Sequence, residues 1–336
     1  MTSQPVIVLP SDRLPDARDA RHAALRDYFC DKDASAERTP RGWELTLEWP
    51  EDAARHVDPK LTDGLGWWDR DLARSGMALS MRRTGRILRT LYDSWTLHSW
   101  SEWLDRSGPQ SSPVIILHVD DHRDLGSPRL FAAPEGWRDP LTGQQVEIAN
   151  PESVARAIRS GAIGMGSFLT PFLHEFPSSE VRHLCQPPKS VETQDYRFDL
   201  RQQADELLDL NARRPSIELV PIDREAGPGR YRITPDPDDW LAGIGDGPVL
   251  LHIDMDYFNN RYDGDSDWPD RRRKLDPSLD AVLDKIDQMT DALGRTGVAS
   301  RLEDVVIAYS PGFFPGEFWR AADERLTAAF GRWNVR

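Results

Sequence analysis

The chain has 336 residues, with 56 acidic and 42 basic side chains for a net charge of −14, and 39% of it is hydrophobic. That is enough apolar material for one large packed domain or two modest ones, and no run of eighteen apolar residues is present, so no membrane-spanning helix is expected. The acidic balance argues against a nucleic-acid partner, which requires a basic face, and is compatible with a cationic substrate.

Residues 1–12 lack the basic start and long apolar stretch of a signal peptide. Cys30 and Cys185 stand alone and far apart, as reduced thiols do in a cytoplasmic protein, and a cytoplasmic location is expected. Residues 1–84 read as an N-terminal extension rich in Asp, Arg and Trp, packed on a main domain of residues 85–336. Within the extension, 5–9 reads as a short strand, 17–29 as a helix, and 43–49 as a half-buried strand because Trp and Leu alternate with polar residues.

From Gly85 the pattern is regular. Residues 87–92 read as a strand. Thr96 is placed to cap a helix running through His98, Trp100 and Leu104. Residues 113–120 form a strongly apolar strand, and 128–146, studded with Pro and Gly, a loop or small insertion. Asn150-Pro151 opens a helix that Gly161 closes. A small-residue loop and an apolar segment occupy 163–176. Leu200, Ala204, Leu207, Leu208 and Leu210 predict an amphipathic helix over 199–213. Strands follow at 217–222, 248–255 and 305–309, with helices at 279–293 and 316–330. Strands alternating with helices predict an α/β fold with a mostly parallel sheet.

Two of these strands end in ligand-type residues. The run Ile115–Val119 leads into Asp120, His122 and Asp124, and 250–253 leads into Asp254 and Asp256. Side chains two apart on a strand share a face. In such sheets sites form beyond the carboxyl ends of the strands, where all five residues fall. Carboxylates with one imidazole suit Mn, Fe, Zn or Mg, and an oxygen-rich mixture leans to Mn. A pair of ions sharing carboxylates, about 3.5–4 Å apart, is the equipment of metal-assisted hydrolysis. His118 and His252 each stand two residues before the first Asp of a motif and read as supporting partners rather than ligands. Arg123 reads as a salt-bridging residue. Trp95, Trp100, Trp103 and Trp319 read as core or groove lining.

Other motifs are weaker. Asp263-Gly264-Asp265-Ser266-Asp267 lacks the sixth-position glycine and closing Glu of a calcium loop and reads as a solvated loop near the site. His174-Glu175 is followed by Pro177, which breaks the helix a zinc-protease motif needs. The glycines at 164 and 166 and at 243, 245 and 247 stand in the wrong strand–helix order for a dinucleotide fold.

Asp120-Asp121-His122-Arg123-Asp124 resembles the D-x-H-x-D motif of the arginase/deacetylase superfamily, and His252-Ile253-Asp254-Met255-Asp256 resembles its second motif. The resemblance implies a three-layer fold, with helices on both faces of the sheet. It implies two Mn ions shared by Asp120 and Asp254, one completed by His122 and Asp256 and the other served by Asp124. The family's further histidine follows an earlier strand in a Gly-Gly-Asp-His context that is absent here, and His98 is the substitute. The phrase Ile307-Ala308-Tyr309-Ser310-Pro311-Gly312 is more similar to a divergent branch that includes peptide arginases. That branch converts arginine in a ribosomally made precursor peptide to ornithine and urea, a post-translational modification. On this reading His174 shuttles a proton, Asp124 and Asp256 serve the catalytic centre, and Glu317 or Asp263 binds the guanidinium. The competing readings are a single-zinc deacetylase-like amidohydrolase using Asp120, His122 and Asp254, and a non-catalytic binding protein on the same fold. A two-metal phosphatase would need a later Gly-Asn-His group, which is missing.

Overall fold

The computed structural model describes residues 6–29, 31–51, 56–108, 112–223 and 227–333. The chain opens with strand β1 (Ile7–Leu9), helix α1 (Arg18–Phe29), and strands β2 (Asp33–Thr39) and β3 (Gly42–Glu48), which form a small antiparallel sheet in the order β1-β3-β2. Helix α2 (Leu61–Trp68), strands β4 (Met81–Thr84) and β5 (Ile87–Thr90), helix α3 (Trp95–Ser107) and strand β6 (Ile115–Val119) follow. The segment expected as a loop or insertion holds three short antiparallel strands, β7 (Phe131–Ala133), β8 (Gly136–Arg138) and β9 (Gln145–Val146). Then come α4 (Pro151–Ser160), α5 (Leu169–Glu175), β10 (Glu180–Leu184), β11 (Gln194–Ala204), β12 (Arg213–Pro221), β13 (Arg230–Thr234) and α6 (Pro237–Leu241). The chain continues through β14 (Val249–Asp254), α7 (Leu279–Arg295), β15 (Leu302–Ala308) and α8 (Trp319–Gly331).

The main sheet has nine strands in the order β12-β11-β13-β10-β6-β14-β15-β5-β4. Six neighbours from β13 to β5 run parallel; the edge pairs β13–β11, β11–β12 and β5–β4 are antiparallel. The fold is thus mixed α/β around a mostly parallel sheet. Every residue of β6 and β14 is buried, which explains why both read as unbroken apolar runs. Full burial of each Ile, Leu or Val contributes roughly 1.5–3 kcal/mol. That stabilisation holds the central strands in a single register.

Local chemistry explains the helix limits. Asn150 accepts a hydrogen bond from the Ser153 amide at 3.1 Å, Pro151 occupies the first turn, and Gly161 ends α4 in the left-handed conformation at φ 89°. Helix α7 starts at a Ser278 cap and buries Val282, Ile286, Met289 and Leu293, one stripe at helical spacing. Helix α3 begins at Trp95 with Ser94 as the preceding cap position, so Thr96 lies inside it. Trp95, Trp100, Trp103 and Trp319 are core residues.

The expected helix over 199–213 is not formed. Its first half belongs to β11, which pairs with β13 on one side and β12 on the other, and residues from 213 onward belong to β12. Phe198 is 1% exposed while Asp199 and Arg201 are not buried. Residue-by-residue pairing of 199–204 with β12 overrode the helical spacing of the leucines.

The N-terminal segment shares one continuous apolar core with the main sheet, through Leu25, Tyr28, Phe29, Trp43 and Leu45. Tyr28 donates from its hydroxyl to Asp205 Oδ1 at 2.7 Å, and Asp205 pairs with Arg214 at 3.3 Å, tying α1 to the turn between β11 and β12. Strand β4, before residue 85, lies in the large sheet. Cys185 is a free, buried thiol pushed up to about 12 by burial and by Asp121; Cys30 lies outside the described residues. No helix among the described residues is long and apolar enough to cross a membrane.

Candidate metal centre

The carboxyl ends of β5, β6 and β14 open onto one cavity of about 550 Å³. Its lining includes Asp93, His122, Asp124, Asp254 and Asp256, together with Ser310 beyond the end of β15. Asp120 lies just behind, 1% exposed. His122 is the pivot. Its backbone N–H donates to Asp120 Oδ1 at 2.5 Å, its Nδ1 lies 2.9 Å from Asp256 Oδ2, and its Nε2 lies 2.9 Å from Asp263 Oδ1. The Ser310 hydroxyl donates to Asp254 Oδ2 at 2.6 Å, and the Asp121 amide donates to Asp256 Oδ1 at 3.2 Å. Asp124 and Ser310 adopt positive φ of 52° and 43°. For residues with a side chain this costs of order 1–3 kcal/mol, a strain typical of functional sites.

Three buried carboxylate oxygens of the site have no hydrogen-bond partner among the described residues: Asp93 Oδ1, Asp120 Oδ2 and Asp124 Oδ2. Burial raises the Asp93 carboxyl well above its usual range, with Asp124 and Asp254 adding to it. Burial does the same to Asp120, reinforced by Asp124, Asp256 and Asp254, and to Asp254, reinforced by Asp256. Burial works against a charged His122, but Asp256 and hydrogen bonds to Asp120, Asp256 and Asp263 outweigh it and hold its pKa far above the ordinary value. Each buried, unpaired carboxylate costs several kcal/mol. A cluster this dense therefore takes up protons or a cation. Three ligand groupings among the described residues are close enough to hold an ion: Asp120 with His122 and Asp256, Asp120 and Asp124 with His118 and His252, and Asp121 with His122 and Asp263 at the rim. The unpartnered oxygens and the hard, oxygen-rich donor set fit divalent cations.

Asp120, His122, Asp124, Asp254 and Asp256 therefore come together. The remaining expected site residues do not join them as anticipated. His98 lies on α3 against Trp95, at a ring distance of 5.3 Å. It is in neither the cavity lining nor a ligand grouping. Helix α3 turns it away from the strand end. His174 points its Nε2 at the Ser216 carbonyl, 3.0 Å away, with Trp137 packed on its ring. It joins the small sheet to β12 and does not line the cavity. Glu317 accepts from Arg261 at 2.7 Å and is also outside the lining. Asp263 is engaged by His122, by Arg271 at 3.0 Å and by Lys189 at 3.8 Å. It supports His122 at the cavity rim, where Gly264 joins the lining. Arg123 lines the cavity and is exposed, with no ion pair among the described residues, so it is not the salt-bridging residue expected.

Two carboxylates were missed in sequence. Asp93 follows the end of β5 by three residues, whereas Asp120 follows β6 directly, so Asp93 reaches the same edge of the sheet without belonging to a strand-end alternation. Its Oδ2 accepts the Gly166 amide at 2.8 Å. Asp31 comes from the N-terminal segment, and its Oδ2 accepts the neighbouring Met165 amide at 2.7 Å. A Cβ on Gly164 would stand 2.4 Å from that oxygen, so the close approach requires glycine there. No local signal in the sequence links Asp31 to the other motifs. Asp31, Pro50 and His56 give the cavity a wall from before the main sheet. No family model and no curated protein matches the chain.

Proposed function

We propose that the protein is a divalent-metal hydrolase that cleaves the guanidino group of arginine in a peptide, giving an ornithine residue and urea. The observation that carries this reading is the convergence of Asp93, Asp120, His122, Asp124, Asp254 and Asp256, with three buried oxygens unpartnered, at one end of a parallel sheet. These six residues would hold two manganese ions, and the resemblance of the two motifs to the three-layer arginase/deacetylase superfamily supports that assignment. The ions would supply the positive charge that makes a nucleophilic water acidic and stabilises charge developing at the guanidino carbon.

The chain's own residues account for the rest. Asp31, outside the ligand set but in the same cavity, pairs with the cationic guanidinium. Tyr92, Met165, Pro311 and Phe313 flank the aliphatic stem and keep water from it. Ser310 holds the Asp254 carboxylate in place. His56, the imidazole of the cavity wall outside the ligand set, is positioned to pass a proton to the leaving amine, the role expected of His174 on the family resemblance. A cavity of about 550 Å³ accommodates an arginine side chain with adjoining backbone.

The test joins metal analysis to peptide mass spectrometry. About two Mn per chain and a mass loss of about 42 Da from an arginine-containing peptide, the change from arginine to ornithine, are expected. One Zn per chain with release of acetate from acetyl-lysine peptides would support the deacetylase reading instead. Asp120→Asn should abolish both metal loading and turnover; full activity in that variant would falsify the two-metal reading. Efficient urea release from free arginine, with none from peptide, would reject the peptide substrate.

A further inference from the structure

Strands β10, β6 and β14 are parallel neighbours, and at one register position each contributes a histidine: His183, His118 and His252. All three side chains are 0% exposed. His118 stacks on His252 with ring centroids 5.1 Å apart and lies 4.7 Å from His183. The proposed chemistry uses none of them.

Their hydrogen bonds determine where the protons sit. His118 Nε2 is 3.1 Å from the His122 carbonyl, which can only accept, so Nε2 carries the hydrogen. In a neutral ring Nδ1 is then bare, and its partner at 3.0 Å, His252 Nδ1, must be the donor. That leaves His252 Nε2 bare, and this atom is buried with no hydrogen-bond partner. On the other side, His183 Nε2 donates to the Asp120 carbonyl at 2.9 Å, and its bare Nδ1 accepts from the Tyr231 hydroxyl at 2.7 Å. The reverse polarity between His118 and His252 would put a second proton on His118, and the His252 proton on Nε2, where it meets no acceptor.

We infer that His183, His118 and His252 form a row of fixed tautomers that holds, from beneath the sheet's carboxyl edge, the turn carrying Asp120 and His122. His183 grips the carbonyl of Asp120 and His118 that of His122, so the two bonds bracket Asp121. Tyr231 locks the outer end of the row, and His252 locks the other. These are positioning residues; the role rests on Asp120 and His122 being cation ligands, as proposed above. Outer partners of metal ligands commonly change metal affinity by 10–100-fold when removed.

Nitrogen NMR of imidazole-labelled protein tests the tautomers directly, both cation-free and with diamagnetic Mg²⁺. One protonated and one bare nitrogen per ring are expected, with hydrogen on Nε2 of His118 and His183 and on Nδ1 of His252. A doubly protonated ring, or hydrogen on His252 Nε2, overturns the row as drawn. Calorimetric titration with Mn²⁺ tests the positioning. Tyr231→Phe, which removes a single hydroxyl from a site its ring still fills, should weaken Mn²⁺ about tenfold. His252→Leu should do likewise, whereas His252→Asn, whose amide N–H can replace Nδ1–H, should restore part of the affinity. Unchanged Mn²⁺ affinity in Tyr231→Phe and His252→Leu overturns the positioning role while leaving the proposed function intact. A wild-type protein that binds no Mn²⁺ overturns the proposed function and the positioning role together; the nitrogen spectra then still decide the tautomers.

Discussion

Asp93 and His98 lie on either side of the first turn of α3, and only Asp93 reaches the cavity. Asp93→Asn keeps the shape but removes a charge beside Asp124 and Asp254. It should lower Mn²⁺ affinity at least about tenfold by calorimetry, whereas His98→Ala should leave affinity unchanged. The reverse outcome would return the sixth ligand to His98. Asp31→Asn should raise KM for an arginine peptide about 10- to 150-fold with little change in metal content, because the loss of a charge-assisted bond to substrate is worth about 1.5–3 kcal/mol. An unaltered KM would remove Asp31 from substrate binding. The five motif residues were legible because each lies at or shortly after the end of an apolar strand; their directions come from the bends after β6 and the 3-10 turn after β14, not from the strand period. Glu317 and His174 were not, because chain order carries no information about which side chains fold against Arg261 or Ser216. Asp31 was invisible for the same reason: its partner is an amide 134 residues away.

The hairpin of β11 and β12 is the element on which sequence and structure part most clearly. Its leucines carry a helical period, yet Tyr196, Phe198 and Leu200 alternate as one strand face, and the partners that decide the outcome are supplied by β12 and β13. Phe198 lies across Gly229, where an added Cβ would stand 1.8 Å from the ring. Gly229→Ala should therefore displace Phe198 from its site, and Phe198→Ala should cost about 3–5 kcal/mol of unfolding free energy. Chemical denaturation measures both, and a loss below about 1 kcal/mol in each would mean that the hairpin adds little to the core. The helices were easier to read. Helices α4 and α7 carry their stop and start signals in adjacent residues, so nothing distant was needed to place them.

Across the whole molecule, the site links stability to pH. Asp93, Asp120 and Asp254 keep their protons to higher pH folded than unfolded, and so does His122. Burial pushes His118, His183 and His252 the other way, so within and below the ordinary histidine range they release protons on folding and oppose the carboxyls. Above that range these rings are neutral folded or unfolded, the folded chain binds more protons than the unfolded one, and stability falls as pH rises. Asp263, held low by His122 and Lys189 despite its burial, acts only below the ordinary carboxylate range. Chelator-treated protein should melt at progressively lower temperature between about pH 7 and about pH 9. Saturating Mn²⁺ should displace the protons and reverse the trend, adding about 2.7 kcal/mol at a hundredfold excess over Kd. A chelated protein that grows more stable over that interval would contradict the buried-carboxylate cluster. The strand order has a consequence for how the protein is made. Strand β14 lies between β6 and β15, though paired histidines on β6 and β14 are 134 residues apart in the chain. During synthesis, Asp120, His122 and Asp124 leave the ribosome long before Asp254 and Asp256. A half-made chain presents half a ligand set beside strands that still lack their neighbours. Pairing at such separation is slow, and until it occurs no cation can be held as the finished site would hold it. A cation at this site would therefore enter late, after β6 and β14 have paired, and could not guide the early steps of folding.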